Sequence, residues 1–149
     1  MYKLINAQLE AMLTSCPNTI SNMANASALL FNSLENLNWA GFYLMKDGEL
    51  ILGPFQGKVA CTVIKLGKGV CGTAAQKDET QLVKNVHEFP GHIACDCDSN
   101  SEIVIPVHKD GKVWGVLDID SPMLGRFSEE DKKGLEEFVR IFEGGLKHD

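Results

Sequence analysis

A chain of 149 residues with 44% hydrophobic and 23% charged side chains has the size and composition of one soluble domain with a full core, not of a disordered or low-complexity segment. Its 20 acidic and 14 basic residues leave a formal charge of −6, which disfavours nucleic acid and anionic membranes and suits a cationic or zwitterionic ligand. No apolar run reaches the ~20 residues of a membrane span, and the amphipathic stretch Met1 to Leu13 lacks the solid apolar block of a secretory leader, so the cytoplasm is the expected location.

In chain order, Ile5, Leu9, Met12, Leu13 and Cys16 recur at helical spacing and predict a first helix that Pro17 ends. Ile20, Met23, Ala24, Ser27, Leu30, Phe31, Leu34 and Leu37 give a second helical stripe, with Asn18 or Thr19 as its N-cap. Past residue 38 the period changes to two. Trp39 to Met45 and Leu50 to Gly53 flank Asp47-Gly48, a strong hairpin signal. Val59 to Leu66 reads as a third strand, Gly67 to Ala75 as a tight turn feeding a short helix, and Gln81 to Lys84 as a short strand. Asn85 to Asn100 has no usable periodicity, and a structureless stretch that long in a compact domain is usually functional. Ser101 to His108 and Lys112 to Ser121 form a second hairpin around Asp110-Gly111. Ser128 caps a last helix whose apolar stripe is Leu135, Phe138, Val139, Phe142 and Leu146. Two helices, a meander of strands and a closing helix predict an α+β fold, an antiparallel sheet with the terminal helices packed on it.

Strand pleating then sorts the polar residues. In Leu117-Asp118-Ile119-Asp120 the two aspartates share one face and the apolar pair the other, against the helices. Trp39 and Tyr43 share a face with only Gly41 between them, which predicts an apolar notch. Glu102 points away from Ile103 and Ile105. Acidic residues are ordinarily solvated, but Asp is a poor strand former and two on a central-looking strand are unusual. Two rings and three carboxylates on one sheet face therefore point to a site.

Five cysteines cannot all pair within one chain, and four of them, Cys61, Cys71, Cys95 and Cys97, lie between residues 61 and 97. In a reducing compartment such clustering suggests reactive thiols or metal ligands. Cys71, at the start of a predicted helix, admits two readings: a thiolate favoured by the helix dipole, or a small packed residue. Cys16 reads as core. His87, His92, Cys95 and Cys97 invite a zinc reading, but their spacing lacks the paired clips of closed structural sites. A loop thiol above a pocket with a second thiol beneath it suits a nucleophile and a resolving partner.

Six blocks in order carry a resemblance: Asn38 to Tyr43, Gly53 to Lys58, Gly69 to Ala74, Phe89 to Asp96, Asn100 to Val104 and Gly115 to Pro122. With the cysteines at matching positions, the chain resembles the free methionine-(R)-sulfoxide reductases, enzymes built on the GAF fold. The resemblance implies one GAF-like catalytic domain over residues 1–149, with N- and C-terminal helices on one face of the sheet and a ligand pocket under loops on the other. It implies Cys95 as nucleophile, Cys61 as resolving thiol and Cys71 as a third cysteine of secondary or structural role. Trp39 and Tyr43 match the family's aromatic pocket positions, and Glu102, Asp118 and Asp120 its acidic ones. Cys97 departs from the family pattern and competes with Cys61 as resolving thiol.

The implied reaction is thiol attack on free methionine-R-sulfoxide, followed by sulfenic acid and disulfide formation. It uses no resident cofactor or metal and is recycled by thioredoxin or a similar dithiol. Asp118 and Asp120 would pair with the substrate ammonium, the Trp39/Tyr43 notch would hold the S-methyl group, and a protonated Glu102 would donate to the sulfoxide oxygen. Backbone N–H groups would bind the carboxylate, and Asn85 to Asn100 would act as a lid. The sequence itself does not fix the oligomeric state; the resemblance implies a homodimer as one option, since GAF domains often pair through their terminal helices. The main rival is a GAF sensor that binds a small molecule without chemistry, and a zinc-binding interaction module is a third reading.

Overall fold

The computed structural model describes residues 1–91 and 98–146. Four helices, α1 (Tyr2–Ser15), α2 (Thr19–Ser33), α3 (Gly69–Lys77) and α4 (Glu129–Gly145), accompany six strands: β1 (Trp39–Lys46), β2 (Glu49–Gly57), β3 (Val63–Lys65), β4 (Gln81–Val83), β5 (Ser101–Lys109) and β6 (Lys112–Ser121). The strands form one antiparallel sheet in the order β3-β2-β1-β6-β5-β4. This is the α+β arrangement expected from the sequence.

Local chemistry accounts for most of the boundaries. Both Asp-Gly pairs turn their hairpins with positive φ at each residue, 51° and 79° at Asp47-Gly48 and 54° and 76° at Asp110-Gly111, the conformation that matches the twist of flanking strands. Asn18 caps α2 by accepting the Ser21 N–H, and Ser128 caps α4 in a reciprocal box with Asp131. Pro54 is tolerated inside β2 because the register slips there: Gly41 faces Phe55 but Tyr43 faces Leu52, leaving a bulge at Gly53-Pro54.

Three expectations are corrected. The third strand is confined to Val63–Lys65, because the Lys58 and Cys61 carbonyls accept from the Trp39 Nε1–H and the Tyr43 hydroxyl instead of a strand partner. The buried stripe of α2 is Asn22, Met23, Ala26, Ser27 and Leu30, with Ile20 and Ala24 exposed. Asn22 donates to the Cys16 carbonyl at 2.9 Å and so turns that face toward the end of α1. Cys16 itself is half-buried at the α1 C-cap and not in the core.

Two apolar clusters lie on opposite faces of the sheet. On one, α1, α2 and α4 bury Leu9, Met23, Leu30, Leu135, Phe138 and Phe142 against Phe42, Ile103, Ile105, Leu117 and Ile119. On the other, α3 supplies Val70, Cys71, Ala74 and Ala75 to a cluster with Trp39, Tyr43, Leu50, Val104 and Val116. The face read as carrying two rings and three carboxylates is thus partly roofed by α3, and its acidic residues are taken out of water.

Candidate active site

Pleating and register place the acidic residues. Across β1, β6 and β5, Trp39 faces Asp120 and Asp120 faces Glu102; two residues along, Gly41 faces Asp118 and Asp118 faces Val104. Trp39, Tyr43, Glu102, Asp118 and Asp120 therefore share the face opposite α1, α2 and α4, as the alternation predicted. Glu102, Asp118 and Asp120 are only 8%, 6% and 8% exposed, so the solvated reading of these carboxyls fails.

Crowding sets their charge states. The Cys71 sulfur and one carboxyl oxygen each of Glu102 and Asp118 lie within 4.8 Å of one another, and Glu102 is within hydrogen-bonding reach of Asp118 and Asp120. Burial first, and the neighbouring Asp118 and Asp120 charges next, push the Glu102 carboxyl well above the ordinary carboxylate range. Burial also raises Asp118, against the lowering effect of hydrogen bonds from Glu102, Cys71 and Asp120. Carboxyls this close share protons and do not all ionise. The Asp118 Oδ1 atom is nonetheless buried without a hydrogen-bond partner, an acceptor that an incoming donor would satisfy.

Cys71 settles one of the open alternatives. It is buried in the first turn of α3, and burial together with the carboxylates of Asp118, Glu102 and Asp120 raises its thiol well above the ordinary value. The dipole-activated thiolate is overturned: desolvation and negative neighbours outweigh one short helix.

The aromatic wall differs from the expected notch. Trp39 stacks on Tyr43 at 5.9 Å between ring centroids and on Phe55 at 5.1 Å. A Cβ on Gly41 would lie 2.2 Å from the Phe55 Cβ and 2.9 Å from the Trp39 ring, so the space above this glycine is filled by Phe55 and Trp39. Alternation along β2 alone does not single out Phe55 as part of this wall. An aromatic directly across from a strand glycine is the signal that identifies it, once the register is known. The Tyr43 hydroxyl, raised by burial and by the Asp118 charge, donates to the Cys61 carbonyl at 2.8 Å and ties residue 61 to the wall.

Cys61 lies in irregular backbone before β3 and is disulfide-bonded, whereas Cys16 and Cys71 are free thiols. Cys95, the expected nucleophile, lies outside the described residues, as do Cys97 and His92 and with them most of the zinc reading. His87 is exposed in a short 3₁₀ turn (Val86–Glu88), with Nε2 3.0 Å from Asn100 Oδ1. The described ends of the expected lid are anchored. Lys58 Nζ meets Asp98 Oδ2 at 2.7 Å, Asn38 Nδ2 donates to Ser99 Oγ at 3.0 Å, and the Val86 N–H donates to the Asn100 carbonyl at 2.9 Å.

The family model of the GAF domain matches residues 9–145. The chain is 49% identical over 142 residues to the free methionine-R-sulfoxide reductase of Escherichia coli, covering 95% of this chain and 86% of that protein. Among solved structures, fRMsr of Staphylococcus aureus in complex with substrate superposes with a TM-score of 0.93 at 50% identity, over 97% of this chain and 95% of that one. The free methionine-R-sulfoxide reductase from Neisseria meningitidis in complex with its substrate gives 0.95 at 41% identity, over 99% and 89%. No helix among the described residues is long and apolar enough to cross a membrane.

Proposed function

Because the chain belongs to the GAF family and, within it, to the free methionine-R-sulfoxide reductases, we propose that its one catalytic domain, residues 1–149, reduces free L-methionine-(R)-sulfoxide through a thiol–disulfide cycle at the buried carboxyl cluster. The observation that carries this reading is an oxidised cysteine at the border of that cluster: Cys61 is disulfide-bonded, and its carbonyl is held by Tyr43 of the aromatic wall. Neither Cys16 nor Cys71 is its partner, since both are free.

The substrate's ammonium pairs with Asp118 and Asp120, and the unpartnered Asp118 Oδ1 gives it a ready acceptor. A peptide-linked methionine has no ammonium there, which accounts for a preference for the free amino acid. The S-methyl group lies against the Trp39–Tyr43 wall, and backbone N–H groups take the carboxylate. Glu102, holding its proton at neutral pH, donates to the sulfoxide oxygen and makes the sulfur more electrophilic. The Cys95 thiolate attacks that sulfur, oxygen passes to Cys95 as sulfenic acid, and methionine leaves reduced. The Cys61 thiol condenses with the sulfenic acid, forming the disulfide and releasing water. A dithiol donor such as thioredoxin, in the cytoplasm, returns both cysteines to thiols and is itself oxidised. Cys71 stays a neutral, buried thiol in a supporting role, no resident cofactor takes part, and self-association runs through the terminal helices.

Cys95→Ser tests the nucleophile. Reduction of methionine-R-sulfoxide driven by dithiothreitol should disappear while sulfoxide binding persists. Turnover that survives the change would overturn the assignment, and wild-type binding without turnover is the result a sensor would give.

A further inference from the structure

We propose that Cys71, Glu102 and Asp118 also form a chelating site for a zinc-class divalent cation, which the protein binds in place of its substrate. The donors come from three separate elements: Glu102 from β5, Asp118 from its neighbour β6, and Cys71 from the first turn of α3. One sulfur and two carboxyl oxygens lie within 4.8 Å of one another. Around a tetrahedral zinc with Zn–S about 2.3 Å and Zn–O about 2.1 Å, adjacent donors stand roughly 3.6 Å apart, so small side-chain rotations close the set on a cation. Three protein donors leave the fourth position to water, the pattern of an open zinc site.

A second observation points to a ligand at the same place. Asp118 is 6% exposed, and its Oδ1 is buried without a hydrogen-bond partner. A cation there supplies the missing partner and relieves the crowding of like charges. Asp120, which faces Glu102 across the β5–β6 ladder and lies within hydrogen-bonding reach of it, supports the ligand from behind. The thiolate selects among metals: calcium and magnesium prefer all-oxygen cages, whereas zinc and cadmium accept a sulfur with carboxylates. Cys71 and Glu102 must each release a proton to ligate, so uptake releases protons and tightens as pH rises.

The exclusion of substrate rests on the function proposed above, because Asp118 is the residue assigned to the substrate ammonium. The metal site itself does not. Cadmium alone, titrated into the oxidised protein with its Cys61 disulfide intact, reads the site through the ultraviolet thiolate-to-cadmium band. The band should fall sharply in Cys71→Ser, leaving only what the other free thiols, Cys16 among them, contribute. In Glu102→Gln, which keeps side-chain volume, the dissociation constant should rise about 100-fold or more, since a direct ligand is worth no less than the 10–100-fold of an outer-shell partner. Saturating free methionine-R-sulfoxide should weaken the band in the wild type. No band in the wild type, an equal band in Cys71→Ser or an unchanged constant in Glu102→Gln overturns the site, and a band indifferent to sulfoxide overturns the exclusion. A protein that binds cadmium as expected but leaves methionine-R-sulfoxide unreduced overturns the proposed function and leaves the metal site standing.

Discussion

A carboxyl group with carboxyl neighbours and little access to water keeps its proton where a surface glutamate has lost it, and Glu102 is in that position. Replacing it by glutamine should lower kcat by roughly 10²–10⁴-fold, the usual worth of a positioned acid. KM should change little, and a pure loss of affinity would count against the acid role. Stability should move the other way. In the unfolded chain Glu102 ionises near pH 4.3; folded, it holds its proton to higher pH, so unfolding releases a proton and stability declines as pH rises through that interval. Thermal melts at pH 7–8 should place Glu102→Gln above the wild type, and equal melts would mean that folding leaves the Glu102 pKa where the unfolded chain has it. Asp118→Asn should instead raise KM by 10-fold or more with a smaller effect on kcat, since a charge-assisted bond of about 1.5–3 kcal/mol is lost from binding. The shared face of Trp39, Tyr43, Asp118 and Asp120 was legible in the sequence because a strand's alternation fixes which side chains share a side. Phe55 over Gly41 and the neutral state of Cys71 were not. The first depends on the β1–β2 register past a bulge, and the second on α3 lying above the carboxyls.

Elements differ in how much of them local chemistry dictates. The Asp-Gly hairpins and the Ser128 cap were legible because positive φ and capping are properties of a few adjacent residues. The start of β3 and the buried face of α2 were not, since each is decided by a distant partner: Trp39 and Tyr43 hold the carbonyls of Lys58 and Cys61, and Cys16 draws Asn22 inward. Two substitutions separate the elements that hold the fold from those that build the site. Ser128→Ala should cost about 1 kcal/mol in denaturant melts through loss of the α4 cap, with kcat unchanged. Gly41→Ala drives a methyl group into Phe55, which should cost about 1–3 kcal/mol and, by displacing the Trp39 stack, raise KM for sulfoxide as well. An unchanged KM would remove the aromatic wall from the substrate site.

At the scale of the molecule, the two faces of the sheet divide the labour: α1, α2 and α4 bury the larger core, and α3 closes the acidic face. His108 of β5 joins both sides, with Nε2 2.6 Å from Asp78 at the α3 C-cap and Nδ1 3.2 Å from Glu143 of α4. Burial lowers its pKa, but the hydrogen bonds and charges of Asp78 and Glu143 outweigh this and leave it raised. The stabilisation is therefore complete below the unfolded value near 6.5 and is lost as pH rises through the folded one. Its exposed position makes the effect modest. Melts between pH 6 and 9 should show this decline in the wild type and a flatter profile in His108→Gln; parallel profiles would leave the link without a role. A carboxyl-lined chamber that reads a free ammonium beside a sulfoxide shows itself in which sulfoxides the protein turns over. Initial rates of dithiothreitol-driven reduction should be compared for free methionine-R-sulfoxide, its S-epimer and N-acetylmethionine-R-sulfoxide. Turnover of the first alone is expected, and comparable rates on the N-acetylated compound, or none on the free R-epimer, would rule such a chamber out.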